Sequence, residues 1–185
     1  MLPSKRLFSL RACPGIRVRL REPQAPAETY TTTAITWSRD VPAEVRSLCG
    51  LKDPDYDDVF AGPLPAGPKR SAEEWAHLAL DVTPGRLRAP VIAIQRYLMG
   101  LPLHPRGADR YLGWTVVAKE DDWIRLQASS SYFSTEMVFL LDAQALRIGC
   151  FVRYDRRLGA VVWPPLSRLH RLAGLLMMRL VLRQH

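Results

Sequence analysis

No CxxC pair, no signal-peptide core and no unbroken apolar span of bilayer length occur in this sequence of 185 residues, and each absence removes a class of protein. Cys13, Cys49 and Cys150 are odd in number and far apart, so neither a disulfide framework nor a zinc module is indicated. The expected setting is a reducing cytoplasm, with no metal and no cofactor. Near the start, Lys5, Arg6 and Arg11 interrupt every hydrophobic run, which excludes the apolar core of a secretory signal. Toward the other end, four arginines and His170 break up a leucine-rich stretch that is barely long enough to span a bilayer. No serine or cysteine stands in a nucleophile motif; Ser129-Ser130-Ser131 reads as the end of a strand.

What is present is an ordinary globular composition, 48% hydrophobic and 24% charged. A chain of this length buries about 70% of its unfolded surface, enough for a core without staples. The net charge of +8 is unevenly placed. Residues 1–21 hold six basic and no acidic side chains, and residues 147–185 hold eight arginines against Asp155, so the stretch between them is mildly acidic. That pattern lacks the basic recognition helix or the basic–aromatic sheet face of a nucleic-acid reader, and no specific nucleic-acid partner is expected.

Residues 1–30, punctuated by Pro3, Pro14, Pro23 and Pro26, read as a poorly ordered basic arm, and residues 31–185 as a single domain. Tyr30–Trp37 suits an edge strand, Pro42–Leu48 a short helix, and Asp57–Ala61 a strand stopped by Gly62, Pro63 and Pro65. Ser71 and Glu74 form a capping box for a helix that carries Trp75, Leu78 and Ala79 on one face. A second helix over Arg88–Met99 ends at Gly100, and a proline-rich loop follows over 101–107.

From Leu112 the period changes to two. Leu112, Trp114, Val116 and Ala118 oppose Thr115 and Lys119; after an acidic turn at 120–122, Ile124, Leu126 and Ala128 oppose Arg125 and Gln127. Phe133, Thr135, Met137, Phe139 and Leu141 share one side of the next strand, and Leu146, Ile148, Cys150 and Val152 one side of the last. These predict an antiparallel meander with one apolar face that needs a cover. A corner at Gly159 leads to a final helix from about Pro165 to Arg183. At about 100° per residue its arginines 168, 171, 179 and 183 fall in one arc, with Leu166, Leu169, Ala173, Met177 and Leu180 opposite. A basic helix of this kind can lie on an anionic membrane surface, but the waiting sheet favours a core role.

The order strand, two helices, antiparallel strands, long closing helix resembles the helix-grip fold of the START and polyketide-cyclase superfamily. More closely, residues 54–183 resemble a bacterial family of unknown function sometimes fused behind short-chain dehydrogenase-type domains. The landmarks are Tyr56-Asp57-Asp58-Val59-Phe60, Trp75, Asp109-Arg110-Tyr111-Leu112, Gly159 and His170-Arg171. The chain departs from that family where Arg168-Leu169, rather than a proline and an aromatic, precede His170. The resemblance implies an α+β fold, an antiparallel curved sheet wrapped around a long C-terminal helix, with a cavity beneath that helix.

Trp114, Leu126, Met137, Phe139 and Cys150 then either line an apolar pocket or fill a solid core, and both readings are open on sequence alone. His170 and Tyr111 are the polar groups available to orient a ligand. Glu136, sharing a side with Tyr132 and Ser134, is expected on the solvent face; Asp57, Asp58 and Asp109 could assemble an acidic metal site, but without a defined ligand spacing they are expected in turns and caps. The expected function is binding of a small, largely apolar molecule. The alternatives are a cyclase- or hydrolase-like enzyme that uses His170, and a module docking on a membrane or partner through its last helix.

Overall fold

In a computed structural model, residues 34–81, 92–101, 110–111 and 113–184 are described. The chain divides into Met1–Tyr30 and Thr31–His185, and all described residues belong to the second unit. The expected arm, residues 30–33 of the expected edge strand, the helical residues 88–91, residues 102–107 of the expected loop and the landmark residues Asp109 and Leu112 lie outside the described residues.

Among the described residues there are seven strands: β1 (Thr36–Ser38), β2 (Tyr56–Pro63), β3 (Arg110–Tyr111), β4 (Trp114–Lys119), β5 (Trp123–Ser129), β6 (Phe133–Leu141) and β7 (Ala145–Tyr154). They form one antiparallel sheet in the order β1-β2-β7-β6-β5-β4-β3. The meander β4 to β7 closes through short turns, such as the one in which Glu120 N–H donates to Trp123 O at 2.8 Å. The non-local step is β2 against β7, in the register Tyr56↔Val152, Asp58↔Cys150 and Phe60↔Ile148. With α1 (Ala43–Ser47), α2 (Ala72–Asp81) and α3 (Arg157–Val181) this is an α+β fold whose curved sheet is followed by a long C-terminal helix.

The capping box forms as the sequence predicts: Ser71 N–H donates to Glu74 Oε2 at 2.7 Å, and Glu74 N–H to Ser71 Oγ at 3.2 Å. At the end of the second helical segment Gly100 takes φ +62°, and Leu101 N–H closes back on Gln95 O at 2.9 Å, the stop expected of a glycine there. The segment's last turn, Ile94–Leu98, is π-helical.

The larger core lies between one sheet face and the helices α2 and α3. It holds Phe60, Trp75, Trp114, Ile124, Leu126, Phe133, Phe139, Ile148 and Trp163. A second, smaller core covers the opposite face: Val41 and Val45 from the α1 region pack on Val59, Val138 and Phe151. The meander therefore has two apolar faces at β2, β7 and β6, not one. Glu136 lies on this second face, and the expectation that it meets solvent is overturned. It is 4% exposed and accepts from Gly50 N–H at 2.6 Å, with Arg125 Nε 4.0 Å away, because the segment after α1 folds over it.

Three further expectations change. A bulge at Val117 shifts the register of β4, so Lys119 turns to the α2 side and binds Glu73 at 2.8 Å instead of opposing the apolar set. α3 begins at Arg157, and Pro164 and Pro165 lie inside it. Their missing N–H groups leave the carbonyls of Ala160 and Val161 without helical donors, and all four residues are exposed, so water can reach the freed groups. Gly159 is not a corner but part of the first turn of α3, pressed so close to β6 that a Cβ would lie 2.9 Å from Tyr132 O.

The inward face of α3 is Gly159, Trp163, Leu166, His170, Gly174, Met178 and Val181, at spacings of three and four. Leu169 and Ala173, expected inward, are exposed; Leu169 joins Leu158, Val161, Leu172 and Leu176 in an outward apolar stripe beside the arginines. Among the described residues no helix is long and apolar enough to cross a membrane.

Candidate functional site

The pairing of β2 with β7 and the crossing of α3 over both place one carboxylate at the centre of an aromatic wall. Alternation along β2 turns Tyr56, Asp58 and Phe60 toward α3, while Asp57 and Val59 face α1. Asp57 lies within β2 rather than in a turn or cap, its half-buried carboxylate in an ion pair with Arg46. Asp58 does not sit in a turn or cap: none of its surface is exposed.

A buried carboxylate has to be satisfied by donors, and Asp58 has three. Tyr56 O–H donates to Oδ2 at 2.6 Å, and Trp37 Nε1–H to the same oxygen at 2.9 Å. His170 Nε2, from the inward face of α3, lies 3.3 Å from Oδ1. Burial pushes the Asp58 carboxyl up, but hydrogen bonds from His170, Tyr56 and Trp37 and the charge on His170 outweigh it, and the net shift is downward. Asp58 is thus held as an anion. Its neighbours respond in the opposite sense: burial, then the hydrogen bond to Asp58, raises the Tyr56 phenol. Burial, then the Asp58 charge, raises the Cys150 thiol well above its ordinary value.

The rings around this anion interlock edge to face. Tyr56 meets Trp163 at 5.1 Å between centroids, and Phe60 meets His170 at 5.5 Å. Trp163 also stands 5.5 Å from His170 and 5.9 Å from Phe133. At the rim, the Arg39 guanidinium covers Tyr56 at 3.9 Å and Arg171 covers Trp37 at 4.7 Å. His170 keeps 24% of its side chain exposed, so the pair is not sealed.

One group in the wall is left over. Trp163 is 3% exposed, and among the described residues its Nε1–H meets no acceptor. A buried indole donor without a partner is uncommon and calls for an explanation.

Of the residues the sequence nominated, His170 and Cys150 come together at Asp58, their donor atoms with its carboxylate all within 4.8 Å of one another. Trp114, Leu126 and Phe139 lie farther along the same face, buried in the larger core, with Met137 half-buried against it. Tyr111 does not join His170: its hydroxyl donates to Glu73 at 3.0 Å and its ring meets His77. It lines a different feature, an open cleft of about 320 Å³ beside α2, with Arg70, Glu73, His77 and Leu78. Tyr56, Trp37 and Trp163 were not nominated, and Asp58 was weighed as a metal ligand but assigned to a turn or cap. The signal for Asp58 was present, since Tyr56-x-Asp58-x-Phe60 places an acid between two aromatics on one side of a strand.

No family model, no curated protein and no solved structure matches this chain.

Proposed function

We propose that the protein binds a small, largely apolar molecule that carries a hydrogen-bond acceptor, held beneath α3 in a fold of the helix-grip kind. The observation that carries this reading is the unpartnered Nε1–H of Trp163, a buried donor in an aromatic wall beside the Asp58 carboxylate and His170. Apolar walls supply affinity without direction, and a few placed polar groups set orientation. Here Tyr56, Phe60 and Phe133 are the wall, and Trp163 and His170 the polar groups. Tyr111 takes no part, because its hydroxyl is held at Glu73. The helix-grip assignment rests on the order of elements and on the position of α3 over the sheet.

Native mass spectrometry of the protein purified from its own host should show a co-purifying molecule. Trp163→Phe, which keeps a ring and removes the donor, should reduce its occupancy at least about fivefold, the effect of losing one hydrogen bond of about 1 kcal/mol. No co-purifying molecule, or equal occupancy in Trp163→Phe, would overturn the reading.

A second reading, acid–base catalysis, is favoured by one contact: an imidazole 3.3 Å from a carboxylate held as an anion is the arrangement of an oriented general base. Turnover of an ester panel that disappears in His170→Gln would support it, and absence of turnover would remove it.

A further inference from the structure

We propose that Asp58, Cys150 and His170 form a binding site for a divalent transition-metal ion of the zinc type. Three strands of argument meet there. The first is placement. The residues come from three elements separated by about ninety and twenty positions of sequence, yet the β2–β7 register sets Asp58 opposite Cys150, and α3 lowers His170 onto them. One ligand atom of each lies within 4.8 Å of the other two.

The second is distance. A protonated imidazole bonded to a carboxylate closes to about 2.7–2.9 Å. Asp58 Oδ1 and His170 Nε2 stay at 3.3 Å, about the edge of a tetrahedron whose centre is about 2.0 Å from each ligand atom. With a zinc–sulfur bond of about 2.3 Å the edges to Cys150 would be about 3.5 Å, so from separations of up to 4.8 Å they need a contraction of at most about 1.3 Å. Oδ2 is held by Tyr56 and Trp37, so the carboxylate is oriented with Oδ1 as its free donor atom, as outer partners orient a metal-ligating carboxylate.

The third is charge and softness. A dication, the Asp58 carboxylate and a Cys150 thiolate sum to zero, so the loaded site adds no net charge to an aromatic, water-poor surround. Thiolate with imidazole and carboxylate suits zinc or cobalt and excludes magnesium and calcium, which take oxygen donors. Loading releases the Cys150 thiol proton to solvent, together with the imidazole proton wherever His170 carries one, so affinity rises with pH. Three protein ligands leave the fourth position for water or for an acceptor atom of a bound molecule. The site shares His170 with the binding reading but does not require it.

The test uses the full chain, stripped with a chelator, dialysed, and titrated with cobalt(II) alone. One equivalent should produce a thiolate-to-cobalt charge-transfer band in the near ultraviolet and intense four-coordinate bands in the visible, both displaced by zinc. Cys150→Ser should abolish the charge-transfer band. His170→Gln should weaken cobalt binding at least about tenfold, and Cys49→Ser should leave the spectrum unchanged. Wild-type protein that shows no such band at one equivalent overturns the proposal whether or not a variant folds. A band that survives Cys150→Ser in folded protein, shown by circular dichroism, assigns the ion to another thiol and also overturns it. Because no small molecule enters this titration, its failure leaves the ligand reading standing, and an absent co-purifying molecule leaves the metal site standing.

Discussion

Removing Asp58 strands its partners: the hydroxyl of Tyr56 and the indole N–H of Trp37 each lose their acceptor, and His170 Nε2 loses its neighbouring carboxylate. Breaking a buried pair by deleting one partner costs about 3–5 kcal/mol. Asp58→Ala should therefore lower the urea midpoint by that equivalent at unchanged slope, while Asp58→Asn, which keeps an acceptor oxygen for Tyr56, should cost less. A loss under about 1 kcal/mol in Asp58→Ala would show that the hub is not structural. Sequence reasoning misplaced Asp58 and Glu136 for the same reason. Alternation assigns a side chain to a face, but whether that face is covered depends on distant segments. Trp163 and His170 come from α3, a hundred residues beyond Asp58, and Gly50 reaches Glu136 across 86 positions.

Among the elements, α3 shows what a helix pattern can and cannot reveal. Its existence follows from the leucine and arginine periodicity, but its start was misread because prolines usually mark a first turn, and here both face outward at positions where water can serve the freed carbonyls. Its inward face was misread because small residues carry no hydrophobic signal. Gly174 is the point of closest approach, where a Cβ would lie 2.3 Å from Phe60 Cζ, and the Phe60 ring is 1% exposed. Alanine should add about 1 kcal/mol of helix propensity at an open position. Here the forced shift of a core ring costs about 1–3 kcal/mol, so Gly174→Ala should destabilise rather than stabilise in equilibrium unfolding. The exposed pair member Ala173 provides the control: Ala173→Gly should cost only the propensity, about 1 kcal/mol. If Gly174→Ala proves stabilising, α3 does not press on β2 as described.

For the whole molecule, the legible part was the local part. The hairpins β5–β6 and β6–β7 are closed within a few residues, and their register can be read from alternation and turn chemistry, whereas in β4–β5 the bulge at Val117 breaks the alternation. The β2–β7 pairing joins residues almost a hundred positions apart, and no periodicity specifies it. That pairing also buries Tyr56, Asp58 and Cys150, which with Cys49 set how stability depends on pH. The Asp58 carboxyl is lowered on folding, so the unfolded chain binds more protons below about pH 4 and the contribution of Asp58 is lost as pH falls through its folded-state value. On the alkaline side the order reverses. Burial raises the Cys49 thiol from 9.0 to about 11, so the unfolded chain loses its proton first; that stabilisation is complete below about pH 9 and is lost as pH rises through about 11. Cys150 and Tyr56 shift in the same direction and add to the alkaline loss. Denaturant midpoints measured across pH should therefore form a plateau near neutrality that falls on both sides. Cys49→Ser should flatten the limb between about pH 9 and 11 while leaving the acid limb unchanged. An alkaline limb unaltered by that substitution would mean that Cys49 is as open to water in the folded chain as in the unfolded one.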